Sequence, residues 1–417
     1  MPSKAILVVI DGLTPSVFEQ AVGDRALPML TLLAEAGEYR RATTVFPSLT
    51  PVCLASIVTG AAPDAHHVPH LVWWHREERR IVEYGSSFGA IRAAGTLRSI
   101  RDAIYSMNQE HLSRDVTTLF EDAADAGFVE AAVNITCYRG RTRHLPSVPI
   151  VPPVLGPRRF FFYNLFESDR TGAPLSVRNR AAGTIDAYAA AVGRWLVTRD
   201  GFDVLAYYLS DLDFASHAHG PDDTRDALRR CDDAVAALVD AAGGLDAFVD
   251  RYALLVCSDH GQTHVDRAAR LDVPGRVTAS NRAAMIYTDD VRGVAEKLDA
   301  VEAAGVVAFL EDGEVVARRD GDEDLALLDE YPNGRERVEA ALRNPNAGEV
   351  LVSAAPGWEF SDLAGGSHAG GGSHGSLDTG DSLVPMLSVG AGEPPARAVD
   401  VKRAVLSALG VAHATAA

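Results

Sequence analysis

Basic charge is scarce in this sequence. Its 417 residues carry 39 Lys and Arg against 57 Asp and Glu, a formal net charge of -18. Such a balance argues against holding nucleic acid polymers or anionic membranes by general attraction. It leaves a small phosphorylated partner open, because a local metal site outweighs the global field at short range. Cysteine is scarcer still. Cys53, Cys137, Cys231 and Cys257 lie far apart with no CxxC pair. This excludes a zinc-finger pattern and a disulfide framework, and it fits a reduced compartment. No stretch approaches the ~20 apolar residues that span a bilayer. Met1 to Lys4 run directly into a strand-like segment, with none of the charged and apolar regions of a signal peptide. A cytoplasmic protein without membrane contact is the expectation, and no internal repeat is visible.

Hydrophobic residues make up 47% of the chain, enough at this length for a large core. Ala5 to Ile10 is a continuous apolar run closed by Asp11-Gly12, and reads as a strand buried on both faces. Leu27 to Ala36 has helical spacing and stops at Gly37. A strand from Tyr39 to Phe46 enters the turn Pro47-Ser48-Leu49-Thr50, and an apolar helix follows as far as Gly60. Pro51 suits the first helical position. That predicts Thr50 at the N-cap, beside free backbone N–H groups at the positive end of the helix dipole, where phosphate binds well.

Further on, Asn179 to Val197 predicts a helix, and Asp203 to Leu209 a strand leading to Asp213 and His217. Asp222 to Ala242 predicts an amphipathic helix, and Tyr252 to Cys257 a strand ending in Ser258-Asp259-His260-Gly261. Val384 to Val389 and Val399 to Leu409 close the chain as strand and helix. The alternation predicts an α/β fold, a mostly parallel central sheet with helices on both faces. Two stretches break the rhythm. About 137–170, rich in Pro, Arg and aromatics, predicts an inserted cap, and about 305–360 a smaller insertion with a β-hairpin broken at Asp312-Gly313. Gly365 to Ser376 reads by composition as a flexible linker.

The carboxyl ends of parallel strands share one sheet edge, where open α/β sheets place their ligands. Asp11, Asp213 with His217, and Asp259 with His260 all stand at such ends. Asp and His are ordinary ligands for zinc and other divalent transition metals. Asp213 and His217 have the i, i+4 spacing that puts both on one helix face. Each group alone has a plainer reading: a turn Asp before Gly12, a cap at Asp259, a surface pair at Asp213 and His217, a solvated His374. Their order along one α/β chain sets them apart.

That order is Asp11-Gly12, Pro-Ser-Leu-Thr50, Asp213-x-x-x-His217-x-x-Gly220-Pro221, Ser258-Asp259-His260-Gly261 and Ser373-His374-Gly375. It resembles the alkaline phosphatase superfamily, and within it the nucleotide pyrophosphatase/phosphodiesterase branch. The resemblance runs from residue 5 to about residue 410. It implies two divalent metal ions, zinc first and manganese as the alternative. Asp213, His217 and His374 would hold one; Asp11, Asp259 and His260 would hold the other, with Thr50 completing its shell. His368 is the lesser candidate beside His374. The resemblance further implies Thr50 as a metal-activated nucleophile, a covalent phosphothreonine intermediate, and a small phosphorylated substrate, nucleotides included.

Two departures bear on the substrate. Pro51-Val52-Cys53 follows Thr50 where the branch often has Phe-Pro-Asn. No Asn occurs around His70-Leu71-Val72-Trp73, where the resemblance implies one that donates to a phosphoryl oxygen. His70, the weak donor Cys53 and the helix N–H groups are the remaining candidates. Trp73-Trp74 and Phe160 to Tyr163 are candidates for stacking a nucleobase, with core packing the plainer reading. Arg139, Arg141, Arg143, Arg158 and Arg159 are candidates for meeting phosphates, with a solvated surface the plainer reading. Phosphomonoesters and phosphonates are alternative substrates on this scaffold. Sulfate esters are less favoured, because no C/S-x-P-x-R context is present. A catalytically degenerate binding protein is the non-enzymatic alternative.

Overall fold

The strand β1 (Lys4–Ile10) shows how the sheet comes to lie in the middle of the molecule. Its Ala5, Leu7 and Val9 join one hydrophobic core, while Ile6, Val8 and Ile10 join a second on the opposite face. An unbroken apolar run is what a strand covered on both sides requires. The computed structural model describes residues 2–147, 151–163, 165–168 and 184–411. Around β1 stand β2 (Glu38–Thr43), β3 (Glu130–Val133), β4 (Arg159–Phe162), β5 (Phe166–Glu167), β6 (Val204–Leu209), β7 (Tyr252–Cys257) and β8 (Leu383–Val389). Their order across the sheet is β2-β8-β7-β1-β6-β3-β4-β5. The strands from β7 to β4 are mutually parallel. Strand β8 runs antiparallel between β7 and β2, and β5 is an antiparallel edge. Helix α1 (Thr50–Thr59) packs into the first core; α2 (Ile185–Thr198) and, after the short α3 (Asp211–His219), α4 (Arg225–Ala242) pack into the second. This is the α/β architecture expected. Among the described residues no helix is long and apolar enough to cross a membrane.

The topology brings five chain segments to one edge of the sheet. Strands β1, β6 and β7 end there and release Asp11, Asp213 and Asp259. Strand β2, parallel to them across β8, ends there too and leads to Thr50. Because β8 runs the other way, the segment entering it, with His374, starts at that same edge.

Several local expectations change. Thr50 is the first helical residue of α1 and Pro51 the second; Leu49 takes the N-cap in extended conformation and makes no side-chain cap. Proline fits the second position because the first four helical N–H groups have no intrahelical partner. Of the stretch about 137–170 expected as a cap, Arg159–Phe162 and Phe166–Glu167 lie in the central sheet; residues 148–150, 164 and 169–170 fall outside the described residues. Of the helix expected from Asn179, residues 179–183 also fall outside them. The hairpin at Asp312-Gly313 forms, both residues with positive φ as a tight two-residue turn requires. It belongs to a six-stranded antiparallel sheet that begins earlier than expected, at Arg276–Ser280. Nor is Gly365 to Ser376 a loose linker throughout. Gly371–Ser373 pairs with Thr263–Val265, and a Cβ on Gly371 would collide with the His217 carbonyl oxygen of α3.

One buried cation ties the second sheet to this loop. Arg282 has no exposed side-chain surface. Its guanidinium donates to Asp381 at 3.0 Å, to Asp378 at 2.5 Å and to the carbonyls of Trp358 and Ala355. Asp381 in turn accepts from Ser376, and the Arg282 N–H donates to the His374 carbonyl at 2.8 Å. Arg282→Ala is expected to lower unfolding stability by about 3–5 kcal/mol, read from urea denaturation, because it strands a buried carboxylate. A change below about 1 kcal/mol would show that the loop is held by other contacts.

Candidate metal centre and active site

At the shared sheet edge three carboxylates and three imidazoles meet. The ligand atoms of Asp11, Asp259 and His260 lie within 4.8 Å of one another, as do those of Asp213, His260 and His374. All five residues are buried. His217 sits just outside these two groups, its Nε2 at 3.3 Å from Asp213 Oδ2. The Thr50 hydroxyl is 3.1 Å from Nε2 of His260, the imidazole common to both groups. Gly12 makes the packing possible: a Cβ there would come within 2.5 Å of the Gln262 amide, which donates to Asp213.

The imidazoles are held in one tautomer. Nδ1 faces a backbone carbonyl in each: Gly261 for His260 at 3.0 Å, Gly372 for His217 at 2.7 Å, Ser48 for His374 at 2.8 Å. A carbonyl only accepts, so Nδ1 carries a hydrogen and Nε2 is the atom that points into the site. There it meets carboxylate oxygen. His260 Nε2 lies 3.3 Å from Asp11 Oδ1 and 3.6 Å from Asp259 Oδ2, and His374 Nε2 lies 3.8 Å from Asp213 Oδ1. Lone pair against carboxylate repels unless a proton or a cation lies between them. Asp11 Oδ1 and Asp259 Oδ2 are, in addition, buried without a hydrogen-bond partner. The donor set therefore fits divalent metal, and the carbonyl behind each imidazole is the usual outer support of a metal-binding histidine.

The protein's own charges give the same answer. Burial, with the Asp213 and Asp259 charges adding to it, pushes the Asp11 carboxyl well above the usual range. Burial raises Asp259 as well. At Asp213 burial also raises, but His217, with His374 and His260, outweighs it and holds the group below the usual range. Burial, with His260 beside it, drives His374 well below the ordinary imidazole value. Removing several carboxylates from water without positive charge is costly, and the site is arranged for that charge to be supplied.

A cavity of about 610 Å³ opens over these groups, lined at its floor by Asp11, Thr50, Asp213, His217 and His374. His368 lines it too, stacked on His217 with ring centroids 4.0 Å apart and paired with Glu359 at 3.1 Å. Other candidates lie elsewhere. His70 is buried in the core, 3.3 Å from the Ala283 carbonyl, and burial pushes its imidazole down to about 4. Cys53 is buried and does not line the cavity. Neither Trp73 nor Trp74 lines it; Trp73 is buried and Trp74 packs under Arg276. Phe160 and Phe161 are core residues of β4, while Phe162 and Tyr163 reach the cavity wall.

None of the five arginines lines it. Arg139 is buried against Glu121 and the carbonyls of Leu112, Ser113 and Val116. Arg141 pairs with Glu121 and Asp125, Arg158 with Glu130, and Arg159 lies over the Trp195 ring. Arg143 is exposed on a short hairpin strand.

Three site residues escaped the sequence reading. Tyr208 donates to Asp11 and Gln262 to Asp213. Asn281 lines the cavity with its side-chain nitrogen 2.9 Å from His374 Nε2. The amide oxygen accepts from Ser280 at 2.8 Å, which leaves the N–H₂ as the end that faces the site. Asn281 sits with φ +56° in the turn between two strands, so from sequence it reads only as a turn residue.

Comparisons with known proteins bear on the family and the fold. No curated protein matches the sequence. Among solved structures, the phosphonoacetate hydrolase of Sinorhizobium meliloti, in complex with phosphonoacetate, superposes with a TM-score of 0.65 at 18% identity, covering 98% of this chain and 96% of that one. Murine ectonucleotide pyrophosphatase/phosphodiesterase 5, as an inactive threonine-to-alanine variant in complex with AMP, gives 0.63 at 15% identity over 98% and 96%. The human protein of that name gives 0.64 at 15% over 98% and 95%. At these identities the likeness is one of fold. The description "Type I phosphodiesterase / nucleotide pyrophosphatase" matches residues 5–377. With nearly the whole chain so matched, the protein belongs to the type I phosphodiesterase/nucleotide pyrophosphatase family of hydrolases.

Proposed function

We propose that the protein hydrolyses a small phosphodiester with Thr50 as nucleophile. The observation that carries this is the Thr50 hydroxyl, half-buried on the cavity floor, 3.1 Å from Nε2 of His260, the imidazole common to the two carboxylate–imidazole groups. Asp11, Asp259, His260 and Thr50 would hold one divalent ion; Asp213, His217 and His374 would hold the second. Zinc suits this mixture of nitrogen and oxygen donors, and manganese is the alternative. Such ions lower the pKa of a bound hydroxyl and offset charge on phosphoryl oxygens.

The chain's own groups do the rest. Thr50 Oγ1 forms a bond to phosphorus as the bond to the ester oxygen breaks, and the released alkoxide takes up a proton. Water then cleaves the phosphothreonine and restores the hydroxyl. The Asn281 amide is the neutral donor placed to meet a phosphoryl oxygen, in place of the asparagine missing near His70. The threonine-to-alanine change in the inactive murine neighbour supports the role given to Thr50. Phosphomonoester or phosphonate hydrolysis is the competing reading on the same groups.

Thr50→Ala is expected to lower turnover of p-nitrophenyl phosphoesters by at least about 10³-fold while metal content, measured by elemental analysis, stays unchanged. Activity near that of the parent would remove Thr50 from the mechanism. Asn281→Ala is expected to lower kcat/KM by about 10²-fold, as loss of one transition-state donor does. Chelation is expected to lower the melting temperature, added zinc to restore it, and Asp259→Asn to abolish most of the difference. Identical melting of chelated and zinc-loaded protein would count against the metal assignment.

A further inference from the structure

The cavity over Thr50 is far larger than a phosphoryl group, and its upper part differs in character from its floor. Leu71, Ile91, Ile104, Met107, Phe162 and Leu165 form the wall. Phe88 and Phe214 stand at the mouth, 90% and 61% exposed. Among the described residues, no Lys or Arg lines the cavity, and its carboxylates, Asp11 and Asp213, belong to the candidate metal groups. The wall is also built on unusual backbone. Ile104 and Met107 come from a ten-residue π-helix, Asp102–His111, a geometry that is rare and concentrates at functional sites.

We infer that the organic group of the substrate is uncharged and apolar, aryl or aliphatic, carried on a phosphodiester monoanion. This rests on the phosphoester-hydrolase reading of the site. A single negative charge is met at the floor, where Thr50, the candidate metal ligands and Asn281 converge. A second anionic group, as in a nucleoside polyphosphate or a carboxylated phosphonate, would lie against Ile104, Met107 and Phe162 with no Lys or Arg to pair it and with His368 already paired to Glu359, and burying an unpaired charge is strongly unfavourable. Tyr84, Ser86 and Ser87 also line the cavity, but their hydroxyls are already bonded to His111, Glu83 and Asp362, so a polar ribose would lose hydrogen bonds to water there with little in return. A phenyl or alkyl chain gains from burial there, and the two mouth phenylalanines become covered when it enters.

The first comparison is between two esters with the same leaving group and the same single charge. Phenyl p-nitrophenyl phosphate is expected to show kcat/KM at least about tenfold above thymidine 5′-(p-nitrophenyl phosphate), the order of discrimination an apolar pocket supplies. ATP and phosphonoacetate are expected to fall lower still. Turnover of the thymidine ester, ATP or phosphonoacetate equal to or above that of the phenyl ester overturns the inference and leaves the hydrolase reading standing. Failure of all four sinks the hydrolase reading, and the inference with it. Phe88→Glu, at an exposed position that the fold does not need, is expected to raise KM for the phenyl ester about tenfold with kcat unchanged. An unchanged KM overturns the apolar mouth.

Discussion

Three carboxylates taken out of water at one point are the constraint on which the rest of the structure depends. Asp11, Asp213 and Asp259 are each buried, and the Nε2 atoms of three imidazoles face them. Asp11 Oδ1 and Asp259 Oδ2 are buried without a hydrogen-bond partner, so positive charge, from protons or a divalent cation, is what this point calls for. The devices around it all serve that end. Backbone carbonyls fix the histidine tautomers, Tyr208 and Gln262 cap carboxylate oxygens, and glycines let segments approach where a side chain would collide.

The remainder of the chain is a frame for this point. The parallel strands deliver their carboxyl ends to one edge, and the antiparallel β8 adds the segment that enters it. Arg282 then fastens that segment to the second sheet through Asp378 and Asp381. That cation is paired and fully enclosed, whereas the pocket edge above Thr50 is apolar and part-open. The molecule thus separates a rigid, highly charged floor from an apolar wall within one cavity.

Much of this was legible in the sequence because the informative residues sit where local rules are strong. Asp11 and Asp259 follow unbroken apolar runs, and such runs in an alternating chain announce a parallel sheet and its ligand-binding edge. The helix at Thr50 is announced by Pro51, but its N-cap is Leu49 and not Thr50, since proline fits either of the first two helical positions. The glycine-rich run around His374 shows the limit of composition. Its glycines answer to His217 across the fold, a contact that no local pattern encodes. Asn281 was hidden for the same reason, because its turn is ordinary and only the tertiary fold points its amide at the cavity. Phe160 to Phe162 read as part of a cap because their pairing with β3 is a tertiary contact that no local pattern records.

The pairing of β1 with β6 and β7 has a consequence for how the protein is made. Its first strand finds its neighbours about 200 and 250 residues later, and His374 arrives later still. While the chain grows, Asp11 and Thr50 must wait, with apolar flanks uncovered, until His374 has emerged. Assembly of the charged centre therefore waits on a segment far down the chain, and a chain cut short before residue 374 would lack the imidazole that faces Asp213.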